Sequence, residues 1–279
     1  MLAKEQIESL SSRPRVAPNG FQIEVVGDVG TAADNYFVTF AADNPGLTLS
    51  QGGWVESVKP GIPVALNPAT MPHQLVREAD GTFTFRQAEW DDRAAGDEET
   101  APDPSFVSQP INDVFTVRNR LGLLSGGNAM LSQAGRLFNY FQPSATVLTD
   151  SDPIDKAATH TKVALLVYAV PFKRRMFLFS AKTQFELVYG DVLSNETSEI
   201  EPLTEFEAAI TGRPIAAGKA LFFPVRREGA TGIQEYFIDE DSGAEGDQEV
   251  TVHVPTYIPS GVSKLTVATN ENALAILAT

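Results

Sequence analysis

Short apolar runs cut by turn residues, with almost no stretch that keeps a helical period, constrain this chain more than any other feature. Glycine (21) and proline (18) recur every few residues along its 279 positions. Proline removes a backbone donor from a helix interior or a central strand, so elements must be short. Two segments read as helix. Residues 1–11 carry a ragged apolar face of Leu2, Ile7 and Leu10, and Thr204-Glu205-Phe206-Glu207 reads as a capping box stopped at Gly212. Everything else favours strands. FQIEVV (21–26) and YFVTF (36–40) flank a hairpin-like GDVGTAAD, and TFTFR (82–86) alternates after the Asp80-Gly81 turn signal.

Beyond Phe106 a unit recurs: strand, charged or polar turn, strand. VFTV (114–117) and LGLLS (121–125) flank a turn at Arg118–Arg120, and Val163–Val170 and MFLFS (176–180) flank one at Lys173–Arg175, followed by QFELVY (184–189). Ala220–Phe223 and Gln234–Ile238 flank Arg226–Gly229, and Leu265–Ala268 and Ala273–Leu277 flank Thr269–Asn272. The turn centres are spaced by about 55, 54 and 42 residues. Recurrence near 40–50 residues with several strands per unit suits β-propeller blades, and a β-sandwich with similar hairpins is the competing architecture. An acidic stretch with two prolines, GDEETAPDPSFVS (96–108), marks a boundary. The expected division is an arm over 1–17, a small β region over 18–105 and about four blades over 106–279. The expected fold class is therefore mainly β: a partial propeller preceded by a small platform-like region.

Composition narrows function. There are 36 acidic against 21 basic residues, a formal net charge of −15, and the excess is shared by both halves. Phosphate contacts dominate nucleic-acid affinity, so such a chain is not expected to grip a duplex. Without cysteine there is no disulfide, thiolate nucleophile or cysteine zinc site. The longest apolar run, Val163–Val170, falls far short of a membrane span, and MLAKEQIESL lacks a signal-peptide core.

Catalytic signals are thin. Leu124-Ser125-Gly126-Gly127 lacks the leading glycine of a nucleophile elbow, and His73, His160 and His253 are isolated in sequence. Two acidic clusters, Glu89/Asp91/Asp92/Asp97/Glu98/Glu99 and Asp239/Glu240/Asp241/Glu245/Asp247/Glu249, have the composition of a cation site or paired carboxylates, but the second fails the EF-hand template and solvated loops explain both. No catalytic, cofactor or metal residue is assigned. Lys173-Arg174-Arg175 and Arg226-Arg227 are expected at exposed turn tips. Structural roles are expected for Arg118, Asn119 and Arg120 in a strand turn, and for Asp152, Pro153 and Asp155 in a turn before the second blade.

Particular words go further than composition. APNG (17–20) before FQIEVVGD, TMPHQLVREADGTF (70–83), PSFVSQPINDVFTVRNRLGLLSGGNAMLS (104–132), SDPID (151–155), YAVPF (168–172), Gln184-Phe185 and HVPTYIPSGV (253–262) resemble, in order, the tail tubular protein B or tail nozzle proteins of T7-like podophages. The resemblance covers roughly residues 10–279. It implies a structural virion protein, made in the bacterial host cytoplasm. In that family a hexameric ring sits at the distal end of a short tail, and a platform-like insertion interrupts a propeller. Implied partners are further copies, the tail adaptor and fibres, and DNA passing through without sequence-specific binding; no cofactor is implied. An acidic channel wall would repel DNA and keep it mobile. Family members are considerably longer, so an interior fragment is expected, with residues 106–279 forming an open arc of blades. Two alternatives are a carbohydrate-active propeller hydrolase using Glu89 and Asp92, and a fibre- or receptor-binding module with the charged turns as contacts.

Overall fold

A computed structural model describes residues 6–27, 35–238 and 244–278. Among them the protein is mainly β, with single 3-10 turns at Leu10–Ser12 and Thr269–Glu271 and no α-helix. The chain forms two compact units. The first comprises residues 1–107 and 132–153, and the second residues 108–131 and 154–279.

In the first unit the strands are β1 (Gln6–Ile7), β2 (Val16–Ala17), β3 (Gln22–Val25), β4 (Tyr36–Ala42) and β5 (Ser50–Ser57), ordered β1-β3-β4-β5-β2. The meander β3–β5 makes the centre of this sheet, and its alternation puts Ile23, Val25, Val38 and Phe40 on a buried face. The N-terminal segment then closes both edges: Ile7 runs parallel beside Val25, and Val16 and Ala17 lie antiparallel to Gln51 and Ser50. Trp54 Nε1 donates to the Pro14 carbonyl at 3.0 Å, fixing the strap between those edges. The helix expected over residues 1–11 is therefore replaced by strand and a 3-10 turn; Ile7 gains burial against Ile23 and Val25. Leu2 and residues 28–34 of the expected hairpin connection lie outside the described residues.

β6 (His73–Arg77) and β7 (Phe83–Gln87) make a separate two-stranded sheet. Asp80 Oδ1 accepts from the Thr82 backbone N–H at 2.9 Å, and Gly81 has φ +87°, so the expected turn forms here. Residues 132–153 belong to this unit. Tyr140 and Phe106 meet edge to face, Trp90 packs on Phe138, and Glu56 accepts from the Ser144 hydroxyl and the Ala145 N–H.

The second unit holds three four-stranded antiparallel sheets whose strand order follows the sequence. They are β8 (Ile111–Val117), β9 (Arg120–Ser125), β10 (Asn128–Leu131) and β11 (Ile154–Ala157); then β12 (Tyr168–Phe172), β13 (Arg175–Phe179), β14 (Gln184–Val188) and β15 (Glu199–Thr204); then β16 (Ile215–Ala217), β17 (Ala220–Arg227), β18 (Ala230–Ile238) and β19 (Glu245–Glu249). A hairpin of β20 (Val262–Ala268) and β21 (Ala273–Ala278) follows. Apolar layers join neighbours in series. Leu124, Leu131, Ile154, Leu178 and Phe185 pack between the first two sheets; Phe177, Phe179, Phe223 and Tyr236 pack between the second and third. Ile233, Ile258, Val262 and Leu265 pack between the third sheet and the hairpin. The first strands β8, β12, β16 and β20 lie beside one another in turn.

Three local expectations are corrected. Thr204–Gly212 is not a helix: the Thr204 hydroxyl and the Phe206 N–H both donate to Gln184 Oε1, at 2.8 and 3.0 Å, and Ala208 bridges Val225. The capping side chain is thus used across strands instead of along a helix. The strand expected over Val163–Val170 begins only at Tyr168. Arg226 and Arg227 sit within β17, opposite Thr231 and Ala230, and the turn is confined to Glu228-Gly229. That turn joins the second and third strands of its sheet, so it is not the counterpart of the 118–119 and 173–174 turns. The counterpart is Gly218-Lys219, between β16 and β17.

Candidate assembly surface

The β6–β7 hairpin exposes one whole face. Register pairs His73 with Gln87, Leu75 with Phe85 and Arg77 with Phe83, so these six share that face. Leu75 is 65% exposed, Phe83 63% and Phe85 71%, and His73 stacks on Phe85 with ring centroids 5.3 Å apart. An isolated two-stranded hairpin is marginal in water, and contiguous exposed apolar side chains mark interaction surfaces. Other free edges are guarded differently. β15 offers Glu199, Glu201 and Pro202; β19 offers Glu245, Asp247 and Glu249, and charge and proline both discourage edge pairing.

The turn residues singled out from sequence lie where hairpins reverse. Arg118 (φ 47°) and Asn119 (φ 61°) are both left-handed, the backbone of a two-residue hairpin turn, and Lys173 (φ 54°) opens the equivalent turn of the next sheet. Arg118 Nε donates to the Tyr189 hydroxyl at 3.3 Å, and its guanidinium lies over that ring. Arg120 is different in kind: it is 1% exposed and its Nη2 donates to the Leu193 carbonyl at 3.1 Å. Asp152, buried, accepts from the Thr149 N–H (2.8 Å) and hydroxyl (2.7 Å). Pro153 follows it, where the chain passes from the first unit back to the second. Asp155 sits on β11 and accepts from Asn128 Nδ2 at 2.9 Å.

Several of the groups weighed for chemistry have structural partners. Asp91 pairs with Arg136 at 2.9 Å. Asp97 Oδ1 accepts from the Glu99 and Thr100 N–H groups; burial raises its pKa, but these bonds outweigh that and hold it below the usual value. Glu89 and Asp92 are exposed. Residues 239–243 of the second cluster lie outside the described residues, whereas Glu245 and Glu249 pair with Arg175 and Arg227. His160 Nε2 lies 3.2 Å from Glu205 Oε1, and the Ser125 hydroxyl donates to the Pro110 carbonyl. No group of three or more His, Cys, Asp or Glu among the described residues has a metal-binding arrangement.

A family model described as bacteriophage nozzle protein matches residues 1–279. This chain belongs to that family. Its relative tail tubular protein gp12 of Escherichia phage T7 is 38% identical over 271 residues, which cover 97% of this chain and 33% of the relative. This nozzle-family chain thus spans about a third of the length of the curated relative it matches. A solved structure described as a 6-phosphogluconolactonase from Bacteroides uniformis covers 94% of this chain and 76% of its own, with a TM-score of 0.39 and 14% identity. A likeness of that size bears on neither fold nor chemistry.

Sequence reasoning on this nozzle-family chain missed two groups. One is the exposed hairpin face: TFTFR read as a strand, and nothing in its alternation said that the face of Phe83 and Phe85 would be left uncovered. The other is a half-buried ion-pair knot in which Arg175 pairs with both Glu186 and the exposed Glu245. The Glu186 hydrogen bonds raise the Arg175 pKa further above its already high value. Burial would raise the Glu245 carboxyl, but hydrogen bonds from Tyr236 and Arg175 hold it below its ordinary value.

Proposed function

We propose that this chain is a structural component of a short phage tail, a nozzle subunit that forms part of the conduit for DNA ejection. The observation that carries the reading is the nozzle family match along the whole chain. On this reading the protein resides in the virion, is made in the host cytoplasm and is not an enzyme. Its partners are further copies in a ring, hexameric as in the resemblance drawn from sequence, and the adaptor and fibre proteins of the tail.

The second unit serves as a partial propeller of about four blades. Three consecutive four-stranded meanders, a following hairpin and adjacent first strands all support that assignment. In residue terms, 1–17 act as an arm, 18–105 as a small platform-like region and 106–279 as blades, interrupted by the 132–153 segment that packs with the first unit. Arg118, Asn119 and Arg120 shape the first blade's turn, and Asp152, Pro153 and Asp155 set the return of the chain into it. The net charge of −15 suits a wall that repels DNA and lets it slide.

Incubating the purified chain with the cognate adaptor, fibre and linear duplex DNA at low salt tests this. Capture by the tail proteins with no retention of DNA is expected. Tight, salt-sensitive DNA binding without tail-protein capture would overturn it.

A further inference from the structure

The strands of the β6–β7 hairpin hold no carboxylate; their charges are Arg77 and Arg86. Neither arginine has an acidic partner among the described residues. Arg77 shares the face of exposed Leu75, Phe83 and Phe85, whereas Arg86 lies on the opposite face, and an unpaired cation beside that apolar area stands out on a chain of net charge −15. Two copies of such a chain repel one another over most of their surfaces. They approach most easily where one presents a cation and apolar area together.

The complementary feature is on β15. Glu199 and Glu201 share one face at the outer edge of the second sheet, both exposed and neither with a cationic partner among the described residues. Val192, 51% exposed, lies nearby in sequence. The carboxylates of β19 do not offer the same chance, because Glu245 and Glu249 are already held by Arg175 and Arg227.

We propose that the β6–β7 hairpin is a self-association clasp. Its apolar face docks on the β15 edge of a second copy of this chain, with Arg77 facing Glu199 and Glu201. The clasp rests on the reading of the chain as a tail subunit that assembles with copies of itself, and it names the surface that does so. Apolar area supplies the attraction, and the charge pairs set register and exclude other edges. Pro202 on β15 blocks full strand addition, so side-chain contacts dominate over a shared ladder.

The test uses the whole chain. Sedimentation velocity is run on the wild type, on Phe83→Ser/Phe85→Ser, on Arg77→Glu, on Glu199→Arg/Glu201→Arg, and on Arg77→Glu combined with Glu199→Arg/Glu201→Arg. All the altered side chains except Phe pairs are solvent-facing charges, and circular dichroism checks each fold. Each single-surface variant should weaken self-association by about tenfold or more, and the combined swap should restore it to within about threefold. Because the chain has no cysteine, Gln87→Cys in one copy and Glu199→Cys in an isotope-labelled copy should cross-link with a short bismaleimide, between copies only. Folded variants that associate like the wild type, a swap that does not rescue, or cross-links confined to single copies would overturn the clasp. So would a wild type that stays monomeric to about 100 µM; the tail reading is judged separately, by capture on the adaptor and fibres.

Discussion

Gly122 on β9 lies opposite Phe115 on β8, and the Phe115 ring occupies the space a side chain would take. A Cβ built on Gly122 falls 2.3 Å from Phe115 Cζ and 2.4 Å from Cε2, whereas ordinary contact begins near 3.4 Å. Gly122→Ala therefore needs the ring to move by about 1 Å or leave its seat in the layer between the first two sheets. Overpacking costs about 1–3 kcal/mol, and full ejection approaches the roughly 3–5 kcal/mol of a buried Phe→Ala change. We expect about 3 kcal/mol. In a Phe115→Ala background the clash vanishes, and Gly122→Ala should become neutral or stabilise by about 0.5 kcal/mol, because alanine loses less backbone entropy than glycine. The coupling between the two positions is then about 3 kcal/mol. Urea denaturation followed by far-ultraviolet circular dichroism is the assay, since both tryptophans, Trp54 and Trp90, lie in the other unit and report little of this one. A Gly122→Ala cost below about 0.5 kcal/mol, or an equal cost in both backgrounds, would refute the argument.

Three further outcomes follow from the same packing. Gln184 is buried and ties Thr204 and Phe206 through its amide, so Gln184→Ala should cost about 2 kcal/mol in urea denaturation, where a simple surface change would cost nearly nothing. Glu186→Ala leaves Arg175 with Glu245 as its remaining carboxylate; we expect about 2 kcal/mol of destabilisation, and the loss should shrink when Arg175→Met is added. Burial raises Tyr140, Tyr168 and Tyr236 above the ordinary tyrosine pKa. Their unfolded forms ionise near pH 10 while the folded forms stay protonated, so thermal stability should be flat below that pH and fall as pH rises beyond it. Single Tyr→Phe variants should flatten the fall.

Much of the second unit was legible because its apolar runs meet at strong turn signals. Arg118-Asn119, Lys173-Arg174 and Thr269–Asn272 each follow and precede strands in the structure, as the alternation implies. The outer strands β11, β15 and β19 were less visible, since sequences such as IDKA and EGDQE bury little and carry the charges that guard an edge. Helix signals failed where a tertiary partner outbid them. Thr204 and Phe206 bond Gln184 across strands, and Ile7 pairs with β3, in a sheet whose central strands β3–β5 lie beyond Phe21. Residues 132–153 pack with the first unit although they sit between two paired strands of the second. No local pattern announces such an excursion, because the contacts that hold it, Glu56 with Ser144 and Ala145, span nearly ninety positions. As for the candidate surface, whether a hairpin face is covered depends on what packs against it, which alternation alone does not encode.

The claim that this chain builds a phage tail meets its most direct test in the particle itself. Electron cryomicroscopy of intact virions, with mass spectrometry of the same preparation, locates the chain. The account predicts peptides from residues 6–278 in purified particles, and density for the sheets β8–β19 in a ring around the tail channel. Particles that eject DNA normally and contain none of these peptides would contradict it.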